Sequence, residues 1–257
     1  MSSKEPDESK TESSPETGAI SEIRTQTKQE LLKALADRWT PLEKAGYTLT
    51  YHIAGRLLRL FYWFFGRWKI VGMENVPKTG AVLLASNHVS LLDPPMVGGA
   101  LYGFRRVRFM AKIELWTTKI GYFVMDRIMS FPVNRGAADI ATIRRTLDWL
   151  SKGDAIAIFP EGERSEDGKL RKGQPGVAML VTRSGAPVVP VAILGTYAML
   201  PKGAKGLKFG HVVVAFGKPI HFEPKTPREE ILKRILDEIA GLMTANGQPT
   251  ESPYTQD

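Results

Sequence analysis

The stretch A-V-L-L-A-S-N-H-V-S-L-L-D-P-P, residues 81–95, breaks an apolar run with Asn87-His88 and sets an aspartate five positions after the histidine. A carboxylate that holds one imidazole nitrogen fixes the tautomer and stabilises the imidazolium formed when the other nitrogen takes a proton, which makes a general base. On one continuous helix His88 and Asp93 would point about 140° apart and never meet. Pro94, however, disfavours helical geometry at Asp93 and suits the first position of a helix. The spacing therefore predicts a strand ending near Ala85, a turn over Asn87–Leu92, and a helix with Asp93 as its N-cap. Such a turn can bring the carboxylate to the ring and leave the second nitrogen facing a pocket. The pair then resembles a serine-hydrolase triad without its serine, and a substrate hydroxyl takes the nucleophile's place. The same residues also fit a plainer reading, in which Asp93 only caps a helix and His88 is a polar residue at a strand end.

Two further constellations carry charge at strand ends. In Phe159-Pro160-Glu161-Gly162-Glu163-Arg164-Ser165 an apolar strand runs into a Pro-Glu-Gly turn. Gly162 permits a tight turn or close approach of a ligand, and Arg164 offers a bidentate fork for phosphate. The competing reading is a charged surface loop with Arg164 paired to Glu161, Glu163 or Glu166. In F-P-V-N-R-G a probable strand ends at Arg135, and upstream lie Arg105, Arg106, Arg108, Lys112 and Lys119 with few acids between them. These form either a solvated basic face or a landing site for an anionic donor or headgroup. His52, His211 and His221 have no evident carboxylate partners, and nothing has the spacing of metal ligands.

The elements that must position these groups follow from hydrophobic periodicity. Short apolar runs predict strands at Ala81–Ala85, Val107–Ala111, Phe131–Val133, Ala155–Phe159, Val188–Ile193 and Val212–Phe216. Helical stripes fall between several of them: Ile140, Ile143, Leu147 and Leu150 before Gly153, and about Gln174 to Ser184 before Gly185. A last helix opens with the capping box Thr226-Pro227-Arg228-Glu229 and buries Ile231, Ile235, Ile239 and Leu242. The pattern predicts an α/β fold with a mixed, mainly parallel sheet flanked by helices over residues 69–244, where chemistry collects at the loops that follow strands.

Residues 29–68 predict an N-terminal helical segment. Its first part places Leu31, Leu35, Trp39 and Leu42 at helical spacing, with Pro41 splitting it. In its second part His52, Arg56 and Arg59 form one polar stripe on an otherwise apolar helix. Two arginines and fewer than ~20 apolar residues argue against a simple span. Trp63, Trp68 and Arg67 suit the headgroup region, so this segment is expected to lie at a membrane interface. The alternative is a helix packed on the domain with its arginines outside. Residues 1–28 and 245–257 are polar and poor in large apolar groups, and are expected to be disordered tails.

The 257 residues carry a net charge of +8, and beyond residue 28 the balance is 31 Lys/Arg against 21 Asp/Glu, or +10. That excess suggests an anionic partner: phosphate esters, nucleic acid or an acidic membrane surface. No nucleic-acid motif accompanies it, so nucleic acid is not expected. The absence of cysteine excludes disulfides, thiolate zinc sites and an acyl-cysteine intermediate. The N-terminus lacks the basic and apolar regions of a signal peptide.

Together the blocks N-H-V-S-L-L-D, F-P-V-N-R-G, F-P-E-G-E-R-S and V-V-P-V-A-I, in this order, resemble the glycerophospholipid acyltransferase family, specifically the lysophosphatidate acyltransferases. The resemblance covers about residues 68–225 and includes M-E-N-V-P and K-G-Q-P-G-V-A. It departs at Glu163, where the family more often has threonine, so Glu163 is expected to point away from a phosphate. The resemblance implies that His88, oriented by Asp93, deprotonates the free hydroxyl of lysophosphatidate for attack on acyl-CoA or acyl-carrier protein. The thioester is a co-substrate, and neither cofactor nor metal is implied. It also implies Arg164 as the phosphate holder, Glu161 and Gly162 shaping that site, and Arg135 and Lys112 as secondary phosphate groups. The fourth block would form an apolar wall for an acyl chain. The acceptor places the protein peripherally or monotopically on the cytoplasmic face of a membrane. Glycerol 3-phosphate, another lysophospholipid or a glycolipid are alternative acceptors, and a non-catalytic lipid-binding protein is the alternative class.

Overall fold

The computed structural model describes residues 45–116, 118, 125, 130–133 and 140–254. The tail 1–28, the first part of the helical segment and Arg135 lie outside them, as does the Lys112 side chain. The chain then runs α1 (Ala45–Gly66), β1 (Lys69–Val71), β2 (Val82–Ser86), α2 (Asp93–Ala100), β3 (Val107–Lys112), β4 (Ser130–Val133), α3 (Ile140–Ser151), β5 (Ala155–Ile158), α4 (Pro175–Ser184), β6 (Val188–Leu194), a one-turn α5 (Thr196–Met199), β7 (Val213–Phe216) and α6 (Arg228–Ala245).

The central strands V-L-L-A-S, A-I-A-I and V-V-P-V-A-I-L are buried at every residue. A strand covered on both faces has no polar alternation, which is the sequence signature of a parallel sheet between helices. The seven strands pair in the order β1-β7-β6-β2-β5-β3-β4. Each neighbouring pair is parallel except β6 and β7, which run antiparallel from Val191↔Phe216 to Leu194↔Val213. The fold is therefore α/β with a mainly parallel mixed sheet, as the alternation of elements predicts. β1 is the strand that pattern reading missed: three residues, partly exposed, at the sheet edge, too short to show a period.

One core cluster joins Val82 and Leu84 of β2, Ala155 and Ala157 of β5, and Val189, Val191 and Ile193 of β6 to Met96, Val97 and Ala100 of α2 and Tyr62 of α1. The fourth block thus forms the centre of the sheet beneath α1 and α2. β6 also contacts α6, which packs on α4. Ile231, Ile235 and Ile239 of α6 are fully buried at four-residue spacing, so replacing one by alanine would cost about 2–5 kcal/mol.

Three local expectations change. α6 begins at Arg228 with Pro227 as an extended N-cap (ψ 141°) and no side-chain cap bond, so the Thr226 capping box does not form. Asp93 is not an N-cap: Leu92 holds that position with helical dihedrals, and Asp93 is the first helical residue despite Pro94. Its side chain is occupied by the preceding turn, as described below. Residues 246–254, read as part of a polar tail, fold back instead. Gln248 N–H donates to Met243 O (3.0 Å), Thr250 N–H donates to Thr244 Oγ1 (3.1 Å), Gly173 N–H donates to the Tyr254 hydroxyl (3.3 Å), and Ser252 is buried. Composition could not show that these polar groups find partners on the domain.

α1 packs on the domain with Arg56 and Arg59 exposed, as the alternative reading of its segment has it. Tyr62 is buried and Leu58, Phe61 and Phe65 pack on the core, while Ile53, Leu57, Leu60, Trp63 and Phe64 face outward. Gly55 lets the Tyr102 ring lie against the helix, where a Cβ would stand 2.3 Å from the ring. No helix among the described residues is long and apolar enough to cross a membrane.

Candidate active site

The turn after β2 brings Asp93 back to His88. Asp93 Oδ2 accepts from His88 Nδ1 at 2.9 Å and from the backbone N–H groups of Val89 and Ser90, each at 2.7 Å. The five-residue spacing works because the intervening residues form a tight turn whose N–H groups converge on the carboxylate. With Nδ1 committed to Asp93 as donor, Nε2 is the basic nitrogen, and among the described residues nothing is bonded to it. The ring is nearly closed off and stacks on Phe159 (centroids 4.1 Å apart).

The third and fourth blocks grip this turn. The third block carries Phe159, accepts the His88 N–H on Glu161 Oε1 (2.8 Å), and donates Ser165 N–H to His88 O (2.8 Å). The fourth block is clasped by Asn87, whose Nδ2 donates to Ile193 O (2.9 Å) while its Oδ1 accepts Ile193 N–H (2.7 Å). Directly after β6, Thr196 Oγ1 donates to Asp93 Oδ1 at 2.7 Å, so the carboxylate accepts four hydrogen bonds in all. Ser90 Oγ donates to Leu200 O (2.7 Å), and the buried Tyr62 hydroxyl of α1 donates to Leu92 O (3.3 Å). Burial, and secondarily the Asp93 carboxylate, pushes the Tyr62 hydroxyl well above its ordinary pKa. Tyr62 therefore serves as a neutral donor.

Sequence reading found His88, Asp93 and Glu161 but not Asn87 or Thr196 as parts of one network. Thr196 stands 103 residues from Asp93, and no local pattern joins them. The signal available was Gly195-Thr196 immediately after a fully apolar strand. Gly195 has φ 87°, and a Cβ there would sit 1.8 Å from His211 O, so only glycine makes the bend that aims Thr196 at Asp93.

Glu161 is held by the backbone on both sides of the turn. It is buried, and its second oxygen accepts Arg171 N–H at 3.2 Å, so both oxygens are engaged by backbone. Burial pushes its carboxyl up to about 8, against the opposing pull of the two N–H groups. Glu161 orients the site from behind. Gly162 supplies the turn, with φ 75° and its N–H donating to Phe159 O (3.0 Å). Glu163 is exposed. Arg164 is half-buried and forms no ion pair among the described residues; Glu161 is held by backbone and Glu166 pairs with Lys202. The surface-loop pairing foreseen for Arg164 is therefore absent there, and its guanidinium is available to an anion.

The basic cluster upstream is largely structural. Arg105 donates to the carbonyls of Pro77, Gly80 and Gly153, Arg108 pairs with Asp154 at 2.7 Å, and Arg106 lies over the Tyr51 ring. Lys112 ends β3, paired with Val133 at the end of β4. A cavity of about 1040 Å³ opens behind Glu161, between Lys169–Lys172 and the C-terminal stretch Thr244–Pro253, and neither His88, Asp93 nor Arg164 lines it.

Residues 67–194 match the family model described as Acyltransferase. The chain is 30% identical over 174 residues to a 1-acyl-sn-glycerol-3-phosphate acyltransferase of Bacillus subtilis, covering 66% of this chain and 82% of that one. It is 31% identical over 161 residues to a chloroplastic 1-acyl-sn-glycerol-3-phosphate acyltransferase of Arabidopsis thaliana, covering 61% of this chain and 44% of that one. It thus spans less than half the length of the plant relative. The fold is similar to the crystal structure of the 1-acyl-sn-glycerophosphate acyltransferase PlsC from Thermotoga maritima, with a TM-score of 0.65 at 23% identity over 90% of this chain and 99% of that one.

Proposed function

The chain belongs to the acyltransferase family whose model it matches, and from that premise we propose that it is an O-acyltransferase converting lysophosphatidate to phosphatidate. The observation that carries this reading is His88, with Nδ1 held by a four-bonded Asp93, beside a loop that presents Arg164, with neither Nε2 nor the Arg164 guanidinium partnered among the described residues. His88 Nε2 takes the proton from the acceptor's free hydroxyl as its oxygen bonds to the thioester carbon. The tetrahedral intermediate collapses with loss of the thiolate, and the imidazolium returns its proton to that sulfur. The products are phosphatidate and a free thiol, and no acyl-enzyme forms. Arg164 holds the acceptor phosphate as a charge-assisted pair, with Arg135 and Lys112 as secondary contacts. The donor is a thioester, acyl-CoA or acyl-carrier protein.

The outward apolar face of α1 supports a lipid acceptor over a small soluble one. We assign that face to the bilayer interface at the cytoplasmic side, where Trp63 and Arg67 suit the headgroup level. Thiol release with each donor type, measured with lysophosphatidate and with glycerol 3-phosphate, tests the assignment. Release that depends on lysophosphatidate and disappears in His88→Ala is expected. Release with glycerol 3-phosphate alone would replace the acceptor, and turnover surviving in folded His88→Ala would remove the mechanism.

A further inference from the structure

Between α5 and β7 the chain runs L-P-K-G-A-K-G-L-K-F-G, residues 200–210, and every residue from Lys202 to Phe209 is exposed. A surface loop is normally polar, yet this one holds Leu207 and Phe209 in water, the latter 67% exposed. The loop is nonetheless held at both ends. At its start Leu200 O accepts Ser90 Oγ from the catalytic turn (2.7 Å), Ala204 N–H donates to Pro201 O (3.1 Å), and Lys208 N–H donates to Met199 O (2.9 Å). At its finish Gly210 N–H donates to Phe65 O at the end of α1 (3.0 Å), and the Phe209 ring stacks on Phe65 with centroids 4.7 Å apart. Phe64, itself outward-facing, lies 6.0 Å from the same ring. The apolar face of α1 therefore continues, without interruption at the Phe64–Phe209 junction, into the loop.

The two segments that form this surface carry charge of one sign. From Gly168 to Phe222 the sequence contains no Asp or Glu, and the loop alone carries Lys202, Lys205 and Lys208. From Ala45 to Met73 there is likewise no acid, while Arg56, Arg59, Arg67 and Lys69 are exposed. Ordered aromatic side chains flanked by cations, of which Lys202 alone is paired, with Glu166, among the described residues, fit a surface with an apolar interior and anionic headgroups. An acidic protein would need the lysines but not Leu207 and Phe209.

We propose that the loop Lys202–Phe209 is a second bilayer-docking element, in which Leu207 and Phe209 enter the headgroup boundary and Lys205 and Lys208 bind anionic lipid. The proposal rests on the interfacial reading of α1 and extends it. Docking at two elements fixes the orientation of the protein on the membrane, and because the loop starts from Leu200 it sets the catalytic turn, whose Leu91 is itself exposed, against the lipid surface.

Vesicle sedimentation with phosphatidylcholine alone and with added phosphatidylglycerol tests it on the full chain. Lys205→Ala/Lys208→Ala is expected to weaken binding to anionic vesicles about tenfold or more and leave neutral vesicles nearly unaffected. Leu207→Ser/Phe209→Ser is expected to weaken binding to both. Both pairs should retain wild-type turnover on a short-chain, monomeric lysophosphatidate, which shows that the fold and the site persist. A parallel Leu57→Ser/Leu60→Ser/Trp63→Ser variant separates the two elements. If it alone loses binding while the loop variants bind as wild type, the loop proposal fails and the interfacial reading of α1 stands. If the wild type binds neither vesicle, both fail. A raised KM for acyl-carrier protein with unchanged vesicle binding would assign the loop to the donor and overturn the proposal.

Discussion

Around Ser86–Asp93 every side-chain polar group apart from His88 Nε2 has a partner among the described residues, in the turn itself, on β6, or on Thr196 and Leu200, while α1 and the third block bond the turn's backbone. Across α1 and the loop Lys202–Phe209 the reverse holds: large apolar groups stand in water beside cations with no acid in the same segments. The first region is complete within the chain and leaves one atom for chemistry. The second leaves apolar surface that the described residues do not cover. A buried polar network that lacks a member is costly, so the turn must be specified by many elements at once. An exposed apolar face costs little structurally and can be carried by a helix and a loop alone.

The contrast can be broken most severely at its one free atom. His88→Ala should lower acyl transfer about 10²–10⁴-fold, the range for loss of a general base, while vesicle binding stays at wild type. Loss of both together would mean the two regions are not separable. Next in size is Arg164→Ala, expected to raise KM for the phosphorylated acceptor about 10–100-fold with kcat less affected, since it removes a hydrogen-bonded charge from the ground state as well as the transition state. A fall in kcat at unchanged KM would move Arg164 out of the binding role.

Thr196→Val sharpens the comparison inside the network, because it deletes one of four bonds to Asp93 and keeps the side-chain shape. A fall in kcat of about tenfold is expected, with recovery in Thr196→Ser, which restores the donor. Equal loss in both variants would point to packing instead. The smallest effect on activity concerns Glu161. Its folded pKa of about 8 lies above the unfolded value, so the native state binds the proton more tightly. The associated stability is fully present below the unfolded pKa and is lost as pH rises through about 8. Denaturant midpoints measured across that window should fall with pH in the wild type and flatten in Glu161→Gln. A wild-type midpoint that rises over the same window would show that the two N–H bonds outweigh burial.

Much of the architecture was legible from pattern. Continuous apolar runs marked β2, β5 and β6 because buried parallel strands need no polar face, and the 3.6-residue stripe marked α3 and α6. Short or irregular pieces were not legible: β1 has three edge residues, and Pro227 takes an extended conformation that displaces the Thr226 cap. Asp93 is the instructive case. Pro94 does disfavour helical geometry before it, yet the carboxylate's bonds to His88, Val89, Ser90 and Thr196 hold Asp93 in the helix and outweigh that local preference.

What the sequence determined by itself was the inventory and its local geometry: a histidine and an aspartate separated by a turn, an arginine following a Pro-Glu-Gly bend, strands alternating with helices, and a helix with more apolar surface than one core contact needs. Tertiary structure alone decided which groups meet across distance. It placed Glu161 behind His88, brought Thr196 to Asp93, turned β7 antiparallel to β6, and joined Phe209 to Phe65. Local propensities and periodicities act over a few residues, whereas these contacts span from 19 to 144 positions and arise only when buried groups, polar ones above all, must find partners that the chain nearby does not supply.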